Sequence, residues 1–225
     1  MLIRRCLLLL CLLPLFSSQW VLGASPAPQT AATIAQIRAR GNQLVVGIPL
    51  DYAPFGFVDE RGEMAGLDVD LVRALAAAWS VEVQFVPVTP SDRVQRLVSG
   101  ALDLVSGLPH RWADEPQIDF SQRYYQDGQR WLVRADAGFS AAGHLSGQKV
   151  AIIRGSLGQD ALAVFTGQPK VSVLPFQEYP PAVAGLRSGQ VAAVAVGSAF
   201  ARQLVQQDPA LAILPSGLPD APYAF

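Results

Sequence analysis

Cysteine is almost absent from this chain of 225 residues, and the little there is lies at the amino terminus. Cys6 and Cys11 are the only two cysteines. The rest of the chain can therefore form neither a disulfide nor a thiolate site, and its stability has to come from the apolar core. His110 and His144, the only histidines, have no cluster of cysteines or acids beside them at metal-ligand spacing. We accordingly predict no metal and no cofactor.

Basic charge is also scarce. Lys149 and Lys170 are the only lysines, no run of lysine and arginine occurs, and the formal net charge is −1. A nucleic-acid-binding surface normally requires a basic patch or stripe, because phosphate contacts supply most of the affinity. We therefore exclude nucleic acid as a partner.

Apolar runs long enough to cross a membrane are missing. The longest run, Cys6 to Phe16, has about 11 residues, whereas a membrane-spanning helix needs roughly 20. Arginines precede this run and small residues follow it up to position 24, the order of a secretory signal peptide at 1–24. The alternative is that this segment stays uncleaved and anchors the protein in the membrane. A lipid anchor is not expected, because the residues before Cys11 are too large for a lipoprotein cleavage site. Removal of the signal leaves 15 basic against 18 acidic residues.

After a leader and first helix at 25–42, short apolar runs alternate with segments in which apolar residues recur at helical spacing. In the first half, the pattern predicts strands at 44–48, 81–88 and 102–105, a hairpin within 56–66, and helices at 68–79 and 91–100. After a long aromatic segment at 124–134, it predicts strands at 150–153, 171–174, 193–196 and 211–213, and helices at 157–165, 182–187 and 200–207. This alternation favours parallel sheets with helices on both faces, in two successive units.

Five short motifs occur in an order that resembles one protein family. They are Tyr52-Ala53-Pro54-Phe55, Gly66-Leu67-Asp68-Val69-Asp70-Leu71, Leu102 to Gly107 followed by Ile118-Asp119-Phe120-Ser121, Leu145 to Val150, and Gly155-Ser156. Together they span roughly 43–225. The chain resembles the family 3 periplasmic solute-binding proteins, which are the polar amino-acid receptors of ABC importers.

The resemblance implies an α/β fold, a two-lobed periplasmic-binding-protein-like clamp of type II. Each lobe would be a mixed, mostly parallel sheet flanked by helices, and two hinge strands would join the lobes. We expect lobe 1 at 43–130, a hinge at 131–136, lobe 2 at 137–216 and a return hinge strand at 217–225. The usual closing helix of lobe 1 is absent from the sequence, which leaves open a fragment, a helix supplied elsewhere, or an incomplete lobe.

The resemblance also implies which lobe 1 residues contact a ligand. Tyr52 would cover the ligand as an aromatic lid, and Phe55 would either share that role or pack at the lobe edge. Ser106, Gly107 and Leu108 form the loop that would meet the ligand through backbone and hydroxyl groups, and Gly107 would let the backbone come close.

In lobe 2, Gly155 and Ser156 lie between a strand and a helix. Backbone N–H groups and the helix dipole at such a turn suit a carboxylate, although a simple helix cap has the same sequence. Ser156 is not a nucleophile elbow, because Arg154 stands where that motif requires glycine.

Several charged positions of the family are changed here. The arginine that would clamp a ligand carboxylate is replaced by Asp114, and Arg111 is the candidate substitute. The acid that would pair with a ligand ammonium is replaced by Gly197. Basic-amino-acid receptors carry an acid where this chain has Pro49, and Asp51 is the candidate two residues on. We therefore expect a ligand that departs from a standard α-amino acid.

Asp68 and Asp70 could be read as a catalytic pair, but residues i and i+2 at a helix start do not face each other. An N-cap with a first-turn acid is the favoured interpretation. His110 either contacts the ligand in the cleft or is an ordinary solvated loop residue. Trp112 either forms a wall of the cleft or packs against lobe 1.

The sequence thus predicts a periplasmic, monomeric binding protein that is not an enzyme. It would capture a small polar solute, an amino acid or a similar molecule, and pass it to an ABC permease in the inner membrane. One alternative is the ligand-sensing module of a signalling or cell-wall protein. The other is a dehydratase-like enzyme on the same fold, for which Asp114 is the candidate acid.

Overall fold

The computed structural model describes residues 34–111, 113–164, 170–215, 218 and 220–225. The predicted signal peptide, most of the leader and the expectation for Trp112 lie outside the described residues. Within them, none of the helices is both long enough and apolar enough to span a membrane.

Strands and helices alternate through the described chain, as the sequence pattern predicts. In chain order they are α1 (Ile34–Ala39), β1 (Gln43–Ile48), β2 (Asp51–Tyr52), β3 (Gly56–Val58), β4 (Met64–Ala65), α2 (Leu67–Trp79), β5 (Glu82–Pro87), α3 (Arg93–Val98), β6 (Leu104–Val105), β7 (Leu108–Pro109), β8 (Tyr125–Arg134), β9 (Lys149–Ile153), α4 (Leu157–Val164), β10 (Ser172–Phe176), α5 (Tyr179–Arg187), β11 (Ala193–Gly197), α6 (Ser198–Gln207), β12 (Leu211–Ile213) and β13 (Asp220–Ala224). Short 3-10 helices cover Ala135–Ala137 and Ala142–Leu145.

The first lobe is built on a parallel sheet of order β5-β1-β6. Strand β1 is a nearly continuous apolar run, which suits a central strand that is covered on both faces. Leu44 and Val46 pack with Val72 and Ala76 of α2 on one face, while Val105 and Leu108 belong to a second cluster. The predicted hairpin is present as β3 and β4, with β2 paired to β3.

The second lobe has a mixed sheet in which β10, β9 and β11 are parallel, and β8 is antiparallel to both β11 and β12. One face carries α5 and α6, with Leu186 and Phe200 in a buried cluster. The other face carries α4 and a cluster around Trp131 and Val150. Where strands are apolar along their whole length, both faces of the sheet have to be covered, and here helices cover them.

Two antiparallel strands connect the lobes. The first residues of β8 pair with β13, from Tyr125 opposite Tyr223 to Gly128 opposite Asp220. Strand β13 also pairs with β7 of the first lobe, and the later residues of β8 pair within the second lobe. The α/β clamp predicted from the resemblance is therefore the observed architecture. The predicted boundaries of lobes and hinges stay predictions.

The predicted helix starts need three corrections. The residue before α2 is Gly66, with φ 121° and no side-chain cap, so the N-cap role expected of Asp68 is wrong. Helix α3, predicted to begin at position 91, begins at Arg93. The residue before it is Asp92, whose carboxylate accepts from the Thr89 N–H instead of capping the helix. Helix α5 begins three residues before the predicted Ala182, because prolines fit the first turn of a helix.

Candidate ligand-binding site

A pocket of about 450 Å³, including the part that opens to solvent, lies between the two lobes. Parallel strands bring their carboxyl ends to one edge of each sheet, so the loops after them face the cleft. The lining residues are Pro49, Tyr52, Phe55, Asp68, Pro90, Arg93, Gly107 and Pro109 from the first lobe, Ser156, Leu157 and Tyr179 from the second, and Gln129 and Tyr223 from the connecting strands.

Aromatic rings form one wall of the pocket. The Tyr52 ring lies 4.5 Å from Tyr179 and 4.8 Å from Phe200, measured between centroids, so a first-lobe side chain packs between two residues of the second lobe. Phe55 contacts the edge of Tyr223 at 5.3 Å. The hydroxyl oxygens of Tyr52 and Tyr223 are 3.3 Å apart. Burial raises the pKa of Tyr52 well above its usual range, so its hydroxyl stays protonated.

Asp68 is a buried carboxylate in this pocket. It comes from the first turn of α2, has no exposed surface, and its Oδ1 accepts from the Tyr124 hydroxyl at 2.9 Å. Its Oδ2 has no partner at hydrogen-bond geometry, although the Ser106 hydroxyl is near enough to influence its titration. Burial raises the pKa of Asp68 to about 6, against the opposing effects of Tyr124, Ser106 and the Arg93 charge.

The pKa of Asp68 predicts a pH-dependent stability. In the ligand-free protein, the folded state keeps this proton up to about pH 6, whereas the unfolded chain releases it near the ordinary value of 3.8. Stability is therefore lost as the pH rises from about 4 to 6. We expect Asp68→Asn to gain roughly 3 kcal/mol relative to the wild type between pH 4 and pH 7, as measured by urea unfolding.

Asp70→Asn is the control for that experiment, because it removes another carboxylate from the same helix start at a position that is 76% exposed. A difference between Asp68→Asn and the wild type that stays constant from pH 4 to pH 7 would contradict the prediction.

Polar contacts hold the two lobes together beside the pocket. The Asp51 carboxylate accepts from the backbone N–H of Tyr179, the first residue of α5, at 3.1 Å, and burial raises the pKa of Asp51. Arg111 donates to the Gly155 carbonyl at 2.7 Å, and its Nε lies 2.7 Å from Asp160 Oδ2. In this structure the lobes are therefore closed on each other.

Comparison with known proteins places this fold and cleft in a family. The sequence model of bacterial extracellular solute-binding proteins, family 3, matches residues 44–212. The chain belongs to this family. The glutamine-binding protein of Geobacillus stearothermophilus is 29% identical over 199 residues, which cover 86% of this chain and 75% of that protein.

Solved structures of arginine-binding proteins superpose on the chain as well. The arginine-binding protein of T. maritima in its holo form is 32% identical, with a TM-score of 0.79 over 85% of this chain and 84% of that one. An ancestral arginine-binding protein bound to glutamine is 31% identical, with a TM-score of 0.73 over 81% of this chain and 82% of that one. This chain is therefore a family 3 solute-binding protein in both sequence and fold.

Four of the residues predicted to contact the ligand of this solute-binding protein line the pocket. They are Tyr52, Phe55, Gly107 and Ser156. Tyr52 and Ser156, from opposite lobes, face the same space. The Ser156 hydroxyl is buried without a hydrogen-bond partner, just before α4.

The other predicted residues lie around the pocket rather than in its wall. Asp51, Arg111 and Gly155 form the contacts between the lobes described above. Ser106 is fully buried, and Leu108 pairs with Ala224 in the sheet and packs in the first-lobe core.

The surroundings of Gly197 show why this position has no acid, although the family pattern has one there. A Cβ at this position would overlap the Tyr52 hydroxyl oxygen and Asp127 Oδ2, and would lie 3.4 Å from the Tyr223 hydroxyl oxygen. Asp127, on β8, is buried and accepts from Ser198 Oγ and the Ala199 N–H at the start of α6. A carboxylate thus lies beside position 197, but it comes from another strand.

Neither Asp114 nor His110 lines the pocket. His110 Nε2 lies 3.0 Å from Glu115 Oε1, and its ring packs against Phe120. Among the described residues, no group of three or more histidines, cysteines and acids could hold a metal ion.

Sequence reasoning missed Arg93, Asp68, Tyr179 and Tyr223 as pocket residues. Arg93 follows the carboxyl end of β5, and that position was a usable signal, because charged residues just after parallel strands gather at one sheet edge. Tyr179 and Tyr223 gave no such signal, since their place in the pocket depends on how the second lobe and β13 approach the first lobe.

Proposed function

We propose that this family 3 solute-binding protein captures a polar L-amino acid in its cleft, outside the cytoplasmic membrane, and delivers it to the permease of an ABC importer. The observation that carries the proposal is the pocket between the lobes, which is lined by aromatic rings and by two buried ionisable groups, Asp68 and Arg93. A small zwitterion with a planar polar side chain complements such a space.

The relatives support an amino-acid ligand. The similar proteins described above are named for binding glutamine or arginine. Tyr52, Phe55 and Tyr179 line the pocket, and a cation near an aromatic ring gains additional attraction. L-arginine and L-glutamine are therefore the first ligands to test.

Export, monomeric state and lack of catalysis belong to the same proposal. Residues 1–24 have the order of a signal peptide, which suits delivery to the periplasm. The acid required by the dehydratase alternative, Asp114, does not line the pocket, so that alternative loses its candidate group.

The test is a thermal-shift screen of the chain without residues 1–24. It uses the twenty L-amino acids, polyamines and small dicarboxylates, followed by isothermal titration calorimetry. We expect L-arginine or L-glutamine to raise the melting temperature, since a ligand at 100 times its Kd adds about 2.7 kcal/mol to the stability of the folded state.

The D-enantiomers are the matched ligand control, because they have the same charge and composition. A response to polyamines or dicarboxylates with none to amino acids would refute the amino-acid assignment.

A further inference from the structure

Arg93 is a buried cation that forms no ion pair within the described part of the chain. The residue is 5% exposed, and its guanidinium donates to the Gly107 carbonyl at 3.0 Å. Its Nε is buried without a hydrogen-bond partner. The charges of Arg93 and Asp68 affect each other, but Asp68 Oδ2 is also without a hydrogen-bond partner, so the two do not form a bonded pair. A guanidinium that has lost its water without gaining an anion is unfavourable, unless a ligand supplies the anion.

The surroundings of Arg93 favour an anion. Arg93 lines the pocket, and so does Ser156, whose hydroxyl is buried without a partner at the start of α4. Two unpaired donors from opposite lobes therefore border one space, and the amino end of α4 adds a favourable dipole. Burial lowers the pKa of Arg93, and the charge of Arg111 adds to that lowering.

We infer that Arg93 binds the α-carboxylate of the amino acid, with Ser156 as the second donor, in place of the arginine that the family pattern puts at position 114. This inference rests on the proposed function. The ligand it requires is an amino acid with a free carboxylate, and Asp68 is left to receive the ammonium group at the first-lobe side of the pocket. The changes at positions 114 and 197 therefore do not exclude a standard α-amino acid.

Arg93 could instead be a positioning residue that only supports the Gly107 loop through its bond to the carbonyl. The two roles differ in what they do to the ligand-free protein. Loss of a supporting contact lowers stability without a ligand, whereas loss of a carboxylate clamp lowers affinity for ligands that carry a carboxylate.

The experiment compares L-arginine and L-glutamine with their C-terminal amides, by calorimetry, on the wild type and on Arg93→Gln. We expect the wild type to bind the free acid about 100-fold or more tightly than the amide. Arg93→Gln should lose a similar factor for the acid and change little for the amide. Arg93→Lys should recover part of the loss, because lysine keeps the charge without the bidentate geometry.

Arg96→Gln is the matched control. Arg96 lies one turn further along α3, bonds to the Pro87 carbonyl at 2.8 Å and does not line the pocket. Its affinity for the acid should equal that of the wild type, and the melting temperature of ligand-free Arg93→Gln should not fall below that of Arg96→Gln.

The inference is overturned if Arg93→Gln binds the acid as the wild type does, or if acid and amide lose affinity equally while the ligand-free melting temperature falls. Should Arg93→Gln fail to fold, equal affinity of the wild type for acid and amide would overturn it. If the wild type binds none of the twenty amino acids, the result refutes the proposed function itself, and it is thereby distinct from the outcomes above.

Discussion

Gly155→Ala is expected to weaken amino-acid binding by about 10- to 100-fold while the ligand-free protein loses only about 1 kcal/mol of stability. An ideal Cβ at this position would overlap the Pro90 carbonyl oxygen and lie 2.9 Å from Ser91 Cα. Gly155 belongs to the second lobe and Pro90 to the first, so the overlap arises where the lobes meet. Backbone atoms cannot rotate away as a side chain would, and the closed state therefore bears the cost.

Affinity depends on that closed state. Periplasmic binding proteins close around their ligands by a hinge movement, and a ligand that binds the closed form best is weakened by whatever raises the energy of that form. Alanine at position 155 also adopts a left-handed backbone conformation, since φ is +71°, and this cost applies whether the cleft is open or closed.

Gly138→Ala separates the two effects. Gly138 has the same φ of +71°, and a Cβ there would meet nothing within 4 Å. Both variants should lose similar stability in urea unfolding, but only Gly155→Ala should lose affinity in calorimetry. An equal loss of affinity in both variants, or in neither, would show that the contact with Pro90 does not oppose closure.

Gly197→Asp, which restores the acid of the family pattern, should destabilise the protein by about 3–5 kcal/mol. The new Cβ would overlap the Tyr52 hydroxyl oxygen and Asp127 Oδ2. The new carboxylate would also be buried beside Asp127, whose oxygens are already used by Ser198 and by the start of α6. Urea unfolding of the ligand-free variant measures the loss.

A double variant tests the cause of that loss. Gly197→Asp combined with Asp127→Ala keeps one carboxylate in this space and moves it to the family position. We expect it to be more stable than the sum of the two single changes, because neighbouring substitutions that share a contact are not additive. Full stability of Gly197→Asp alone would disprove the proposed crowding.

The charged groups around the cleft depart from the family pattern in sequence, but the structure contains charged groups at other positions nearby. Position 197 has no side chain, yet Asp127 lies against it from β8. Position 114 is acidic and outside the pocket, yet Arg93 lines the pocket from α3. A comparison of aligned positions shows that the family's arginine at position 114 and its acid at position 197 are both missing. The structure nevertheless contains an acid and an arginine near the cleft.

The sequence by itself determined most of the helices and strands and the α/β class. Apolar runs such as 44–48 and 150–153 and the helical spacing of 68–79 are local patterns, because side-chain burial in a strand or helix has a fixed period. The motifs around Tyr52, Gly107 and Ser156 were recognisable from the family resemblance, because each is a short local sequence.

Only the tertiary structure decided which charges and rings share the pocket. Asp68 looked like a helix cap because nothing local records that α2 turns its first turn toward the cleft. Arg111 is the predicted clamp because it is near position 114 in sequence, and only the structure shows that it bonds across the lobes to Gly155. Burial and pairing depend on contacts between residues more than 40 positions apart, such as Arg111 with Gly155 and Tyr52 with Tyr223, and no local period encodes such contacts.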